Sequence, residues 1–286
     1  MTTCARMRFA KSNTYDRRMT KGGLMTRDNL HRFVVLMMLA FTLLFAPWVG
    51  AQDATAPPSP ASVEARTTGE VGKLIQELRA DLAAVEDQIR HHPYLLALER
   101  GEVSRDNLRA LAGEQYHIIR SDLRSDAHLV ARFGATPAGN FFRGIFEGEV
   151  IALDLLLDFA SALGLSENDL AAYEPKPKAQ AFPSYVVSLA YHGTQADAAT
   201  AFLVNFPVFG ENTGRMSAAL QKQYGLTPKQ TAFFDFFATP VPGFEAAALV
   251  VIAEGLKTDG DPRQLRRAAR LLQAYELAFW DAVAEN

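Results

Sequence analysis

Apolar side chains return every three or four positions along most of the chain, and from residue 69 onward no window shows strict polar–apolar alternation. That period predicts helices and no sheet. Eight segments stand out, at about 71–91, 104–133, 137–163, 184–191, 197–224, 228–237, 243–256 and 262–284. Several open on residues that accept hydrogen bonds from the orphan N–H groups of a first turn. Ser166-x-x-Asp169 has the capping-box shape, while Thr227-Pro228-x-Gln230 and Asp261-Pro262-x-Gln264 add a proline at the first helical position. Gly210 and Gly214, close to Pro207, predict a broken, closely packed helix. Helices that are apolar on one face must pack around a common core, so the fold class is an all-α bundle.

The N-terminal region follows another pattern. Residues 33–49 form an apolar run, preceded by Arg27 and Arg32 and followed by Gly50 and Ala51. This is the form of a secretory signal peptide, with Met25 read as the start and cleavage after Ala51. A single membrane anchor is the alternative, but 17 residues are at the short end for spanning. Residues 54–68 are rich in Pro, Ala, Ser and Thr and read as a disordered linker. The expected organisation is a leader over 1–51, a linker over 52–68 and one helical domain over 69–286. The mature protein is expected to be periplasmic or extracellular, free of the membrane once the signal is removed.

Composition changes meaning once the leader is set aside. The first 51 residues hold eight of the 29 Lys/Arg and two of the 32 Asp/Glu, leaving 21 basic against 30 acidic side chains, a formal charge of −9. Such a surface excludes nucleic acid as the expected partner. Cys4 is the only cysteine and lies in the leader, so the mature chain is expected to have no disulfide, thiol nucleophile or thiolate metal site.

Helical phase separates inward from outward polar residues. Glu114 and His117, three apart in EQYH, have the spacing with which one helix offers two metal ligands. Leu108, Leu111, Ile118, Ile119 and Leu123 define the apolar side of that helix; Glu114 falls at its edge, and His117 falls opposite, with Arg120 and Arg124. The pair therefore reads as solvated rather than as a metal site. Gln115, Asp122 and Asp126 fall within the apolar arc. Glu149 sits among Phe142, Ile145, Leu153 and Leu156, and Glu276 among Leu272, Phe279 and Val283, with Trp280 beside it. Glu245 also lies on an apolar arc, but in a first turn, where the helix dipole favours a carboxylate. A carboxylate buried without a partner takes up a proton or costs stability. Inward polar groups on three helices point to a shared cavity for a small-molecule ligand; the alternative is that each is satisfied locally by Arg, Tyr or water.

Three stretches carry a family resemblance. HHPYLLALERGEVSRDNLRALAGEQYHI resembles the His-Pro-aromatic, Gly and Gln-Asp-Tyr-His pattern of the TenA/PqqC group; EGEVIALDLLLDFASALGLS and YELAFWDAV are similar to its Glu-containing helix and its closing Tyr-Glu-x-x-Phe-Trp signature. The resemblance implies the haem-oxygenase-like helical bundle over most of residues 72–286. Its thiaminase II branch cleaves or deaminates aminopyrimidines with an Asp, a Cys nucleophile, several Tyr and a Glu. Here Gln115 stands at the Asp position, Ile118 and Phe182 at Tyr positions, and Asn205 at or near the Cys; another pocket Tyr falls near Pro240. Glu211 matches a family acid and Glu276 keeps the Glu. His92 matches a PqqC pocket His, with a loop-end cap or surface imidazole as the other readings.

The resemblance implies a small-molecule enzyme acting on an aminopyrimidine-like or other nitrogen heterocycle. Glu276 and Glu149 are the expected catalytic carboxyls, and Gln115, Asp122, Phe182, Asn205 and Glu211 the expected substrate contacts. The departures keep two alternatives open: a non-catalytic ligand-binding protein on the same fold, and a metal-dependent oxidase of the haem-oxygenase-like group. No cofactor and no resident metal are expected, and relatives imply a homo-oligomer.

Overall fold

The computed structural model describes residues 60–285, with side chains from residue 69 onward. The leader, its expected cleavage site, Cys4 and residues 52–59 of the expected linker lie outside the described residues. The described residues form ten helices and no strand: α1 (Pro60–Arg90), α2 (Pro93–Glu99), α3 (Arg105–Phe133), α4 (Ala138–Ala162), α5 (Glu167–Ala172), α6 (Ala181–His192), α7 (Gln195–Tyr224), α8 (Ala232–Ala238), α9 (Phe244–Thr258) and α10 (Pro262–Ala284).

Each of the eight expected segments is present, with shifted ends. Helix α1 begins at Pro60, so residues 60–68, read as disordered linker, are helical. Proline suits a first turn, and the alanines, glutamate and arginine that follow are good helix formers. The bond from Thr227 N to Gln230 Oε1 forms at 2.9 Å as its sequence predicts, but residues 228–231 make a turn, and α8 starts at Ala232. Two short helices escaped the periodicity, which needs more than two turns to show. Ser166 and Asp169 cap α5 reciprocally. His92 caps α2, its Nδ1 accepting from Tyr94 N at 3.2 Å, while its Nε2 lies 3.2 Å from Asp281 Oδ1 on α10. His92 is thus a buried helix cap, and the surface-imidazole reading is excluded.

Helix α7 runs unbroken through Pro207, contrary to the broken helix expected there. The close packing is as expected. A Cβ on Gly210 would lie 2.6 Å from the Phe237 carbonyl oxygen, so the glycine is what lets α8 press against α7. That approach sets the Phe209 and Phe237 rings edge to face at 5.1 Å.

Two apolar clusters make the core. One gathers Leu95, Leu111, Ile119, Phe159, Phe233 and Trp280; the other gathers Ile75, Phe142, Phe202, Ile252 and Leu265. Helix α3 packs along α4, α7 along α8, α9 and α10, and α6 bridges α3 and α10. Phe182, at the start of α6, touches both clusters. Gln115, Asp122, Asp126, Glu149, Asn205 and Glu276 lie along this seam.

Candidate functional site

Six helices contribute to a cavity along the seam. From α3 come Gln115, Ile118, Ile119, Asp122 and Asp126, a stripe at intervals of three and four residues that keeps one helical face. Helix α7 supplies Phe202, Asn205, Phe206 and Phe209 at the same spacing, and α4 supplies Ile145 and Glu149. Phe182 and Val186 of α6, Phe237 of α8, and Glu276 and Phe279 of α10 complete the lining. The space unoccupied by atoms is about 630 Å³, part of it open to solvent. Four carboxyls and two amides face it, with no Lys, Arg or His among the lining side chains.

Glu276 is 3% exposed and well held. Trp280 Nε1 donates to its Oε1 at 2.7 Å and Asn205 Nδ2 to its Oε2 at 3.4 Å. Asn205 Nδ2 also donates to Gln273 Oε1 at 3.0 Å, and Gln273 Nε2 to Glu86 Oε1 at 3.2 Å. Arg90 then donates to Glu86 at 3.2 Å and to Glu211 at 2.8 Å. The chain of bonds runs from the cavity to the surface. Its charged outer end fixes the Gln273 amide, and Gln273 in turn aims Asn205 at Glu276. Burial pushes the Glu276 pKa up to about 7, against the lowering effect of the Trp280 and Asn205 donors.

The other three acids form a second group. Asp122 and Asp126 are one turn apart on α3, and Glu149 faces them from α4. Asp126 is 2% exposed; Asp122 and Glu149 are half-buried, their open surface turned to the cavity. Oδ1 of Asp122 and Oδ1 of Asp126 are buried with no hydrogen-bond partner. Burial first, then the charge of Glu149, drives both Asp pKa values well above the usual carboxylate range, and Asp126 adds to the effect on Asp122. Burial takes Glu149 to about 7. Near neutrality this end of the cavity therefore holds protons as well as negative charge.

Of the residues expected at the site, Gln115, Asp122, Glu149, Phe182, Asn205 and Glu276 meet in this one cavity. Glu211 does not: its side chain is half exposed and pairs with Arg90. Six residues beyond Asn205, it stands about 120° round the helix and faces away. Nor is the Glu114/His117 pair solvated, as its helical phase had implied. Glu114 is fully buried, accepting from Tyr173 Oη at 2.9 Å and from Lys176 N at 2.8 Å, and His117 Nε2 lies 2.9 Å from the Tyr173 carbonyl oxygen. The pair clasps the segment that leads into α6 rather than facing water. Among the described residues, no group of three or more His, Cys, Asp or Glu is placed to hold a metal ion. Glu86 and Gln273, which brace the Glu276 end, carry no local signal in the sequence; Asp126 had one, its place on the apolar arc of α3.

A family model described as TENA/THI-4/PQQC matches residues 79–286. The chain belongs to that family. Solved structures agree on the fold of this TenA-family chain. A TenA homologue from P. horikoshii OT3 superposes with a TM-score of 0.60 at 17% identity, over 73% of this chain and 97% of that one. A TenA homologue from Pseudomonas syringae pv. tomato gives 0.62 at 16%, over 74% and 92%. The haem complex of heme oxygenase-1 from the cyanobacterium Synechocystis gives 0.51 at 16%, over 74% and 91%. At such identities the likeness shows the haem-oxygenase-like fold alone. No curated protein matches the sequence.

Proposed function

We propose that this TenA-family chain is an exported enzyme that binds an amino-substituted nitrogen heterocycle in the α3–α4–α7–α10 cavity, with Glu276 giving and taking a proton. Export rests on the leader pattern of the sequence. The observation that carries the chemistry is Glu276 itself: a cavity carboxyl held by two side-chain donors and titrating at about 7, where one group serves as both acid and base. The Phe side chains of the lining suit an apolar ring, and the carboxyls and amides suit its N–H groups and ring nitrogens.

A second reading, a binding protein without catalysis, has one observation in its favour. The lining contains no Cys, Ser, Thr, Tyr, Lys or His, so only a carboxyl could act as nucleophile. Turnover and binding of thiamine and of aminopyrimidines by the wild type and by Glu276→Gln separate the two. The catalytic reading predicts a loss of about 100-fold or more in kcat, the usual worth of a general acid–base, with binding weakened far less. Ligand binding with no turnover by the wild type establishes the binding reading instead.

A further inference from the structure

Glu276 accounts for one end of the cavity and leaves the other unexplained. A buried acid normally meets a donor, yet Oδ1 of Asp122 and Oδ1 of Asp126 meet none, and Asp126 is 98% enclosed. Glu149 faces both from α4, and three acids this close raise one another's cost of ionisation. The other walls do not relieve them. The lining from α6, α7 and α8 has no titratable side chain, and the only one from α10 is Glu276, itself an acid. No cationic side chain among the lining residues neutralises this corner, while Phe182, Phe202, Phe206 and Phe237 line the same space. Unpartnered carboxyl oxygens beside aromatic rings are what an organic cation requires: charge-assisted hydrogen bonds on one side and π faces on the other.

We propose that Asp122, Asp126 and Glu149 form a subsite for an alkylammonium group, so that the ligand is a ring held near Glu276 with a cationic arm reaching the α3–α4 corner. This rests on the reading of the cavity as the ligand site and adds the charge of the ligand to it. An arriving ammonium donates to the orphan oxygens and stabilises their ionised forms. Acids that hold protons in the empty cavity must then release them, so binding of the cation expels protons into the buffer.

The test is calorimetric titration of the full chain at pH 7.5, in two buffers of different ionisation enthalpy, with benzylamine, its neutral analogue benzyl alcohol, and 4-aminopyrimidine. Benzylamine is expected to bind about 10- to 100-fold more tightly than benzyl alcohol, the worth of charge-assisted hydrogen bonds, and to release protons. The double variant Asp122→Asn/Asp126→Asn is expected to lose that preference and the proton release, benzylamine binding no more tightly than benzyl alcohol. It loses a buried-charge penalty and should melt no lower than the wild type, and Glu149→Gln provides an independent second variant. Undetectable benzylamine binding, affinity equal to that of benzyl alcohol, absence of proton release, or a preference that survives the double variant overturns the proposal. Binding of 4-aminopyrimidine alongside any of those results leaves the heterocycle reading standing; a strong benzylamine preference with no 4-aminopyrimidine binding sinks the heterocycle reading and leaves the subsite.

Discussion

Glu276 shows how burial and hydrogen bonding contend at a single carboxyl. Removing it from water favours the protonated form, while Trp280 and Asn205 favour the anion, and burial wins. The sign of the pH dependence follows. An ordinary glutamate in the unfolded chain ionises near 4.5 and this one near 7, so folding binds a proton between those values. The contribution of Glu276 to stability is unpenalised below about 4.5 and falls as pH rises towards 7, by about 3 kcal/mol in all. Glu276→Gln has no such term. Its stability relative to the wild type is therefore expected to improve by about 3 kcal/mol between pH 4.5 and pH 8, measured by urea unfolding. An offset from the new amide facing Asn205 is independent of pH and does not mimic it. A difference that stays flat with pH contradicts the assignment.

At the scale of elements, the segment between α5 and α6 is clasped by α3, and the clasp positions Phe182 at the cavity wall. Gly113 makes the contact close enough: a Cβ there would lie 2.4 Å from the Tyr173 ring. Gly113→Ala is expected to push Tyr173 from Glu114 and cost about 1–3 kcal/mol, the usual range for overpacking. Gly144→Ala on α4, where nothing lies within 4 Å, serves as the control and should gain up to about 1 kcal/mol of helix propensity. Thermal unfolding of the two variants checks both; equal stabilities would show that the Tyr173 contact does not constrain α3. The same clasp explains what the sequence concealed. Helical phase located Glu149 and Glu276 because α4 and α10 each have one dominant apolar face. It failed for Glu114 and His117 because α3 is covered on two sides, by α4 and by a polar strap whose partners lie more than fifty residues away. Glu211 matches a family acid by residue type alone, and the turn of α7 sets it apart from Asn205 and the cavity.

For the whole molecule, the bundle has two apolar cores, and four of its acids line a cavity where they meet. The all-helical class and the inward stripe of α3 were legible because each depends only on local spacing. The bracing of Glu276 by Glu86 through Gln273 was not, since it joins α1 to α10 across 187 residues. A seam whose lining has four carboxyls and no cationic side chain stores a cost that a bound ligand can relieve. The central claim is that these acids are buried around one cavity inside the protein. A pH titration of the glutamate side-chain carboxyl carbons by ¹³C NMR tests it most directly. Two glutamates are predicted to titrate near pH 7, one signal vanishing in Glu149→Gln and the other in Glu276→Gln. If every glutamate titrates near the ordinary 4.5, these carboxyls face water and the account fails.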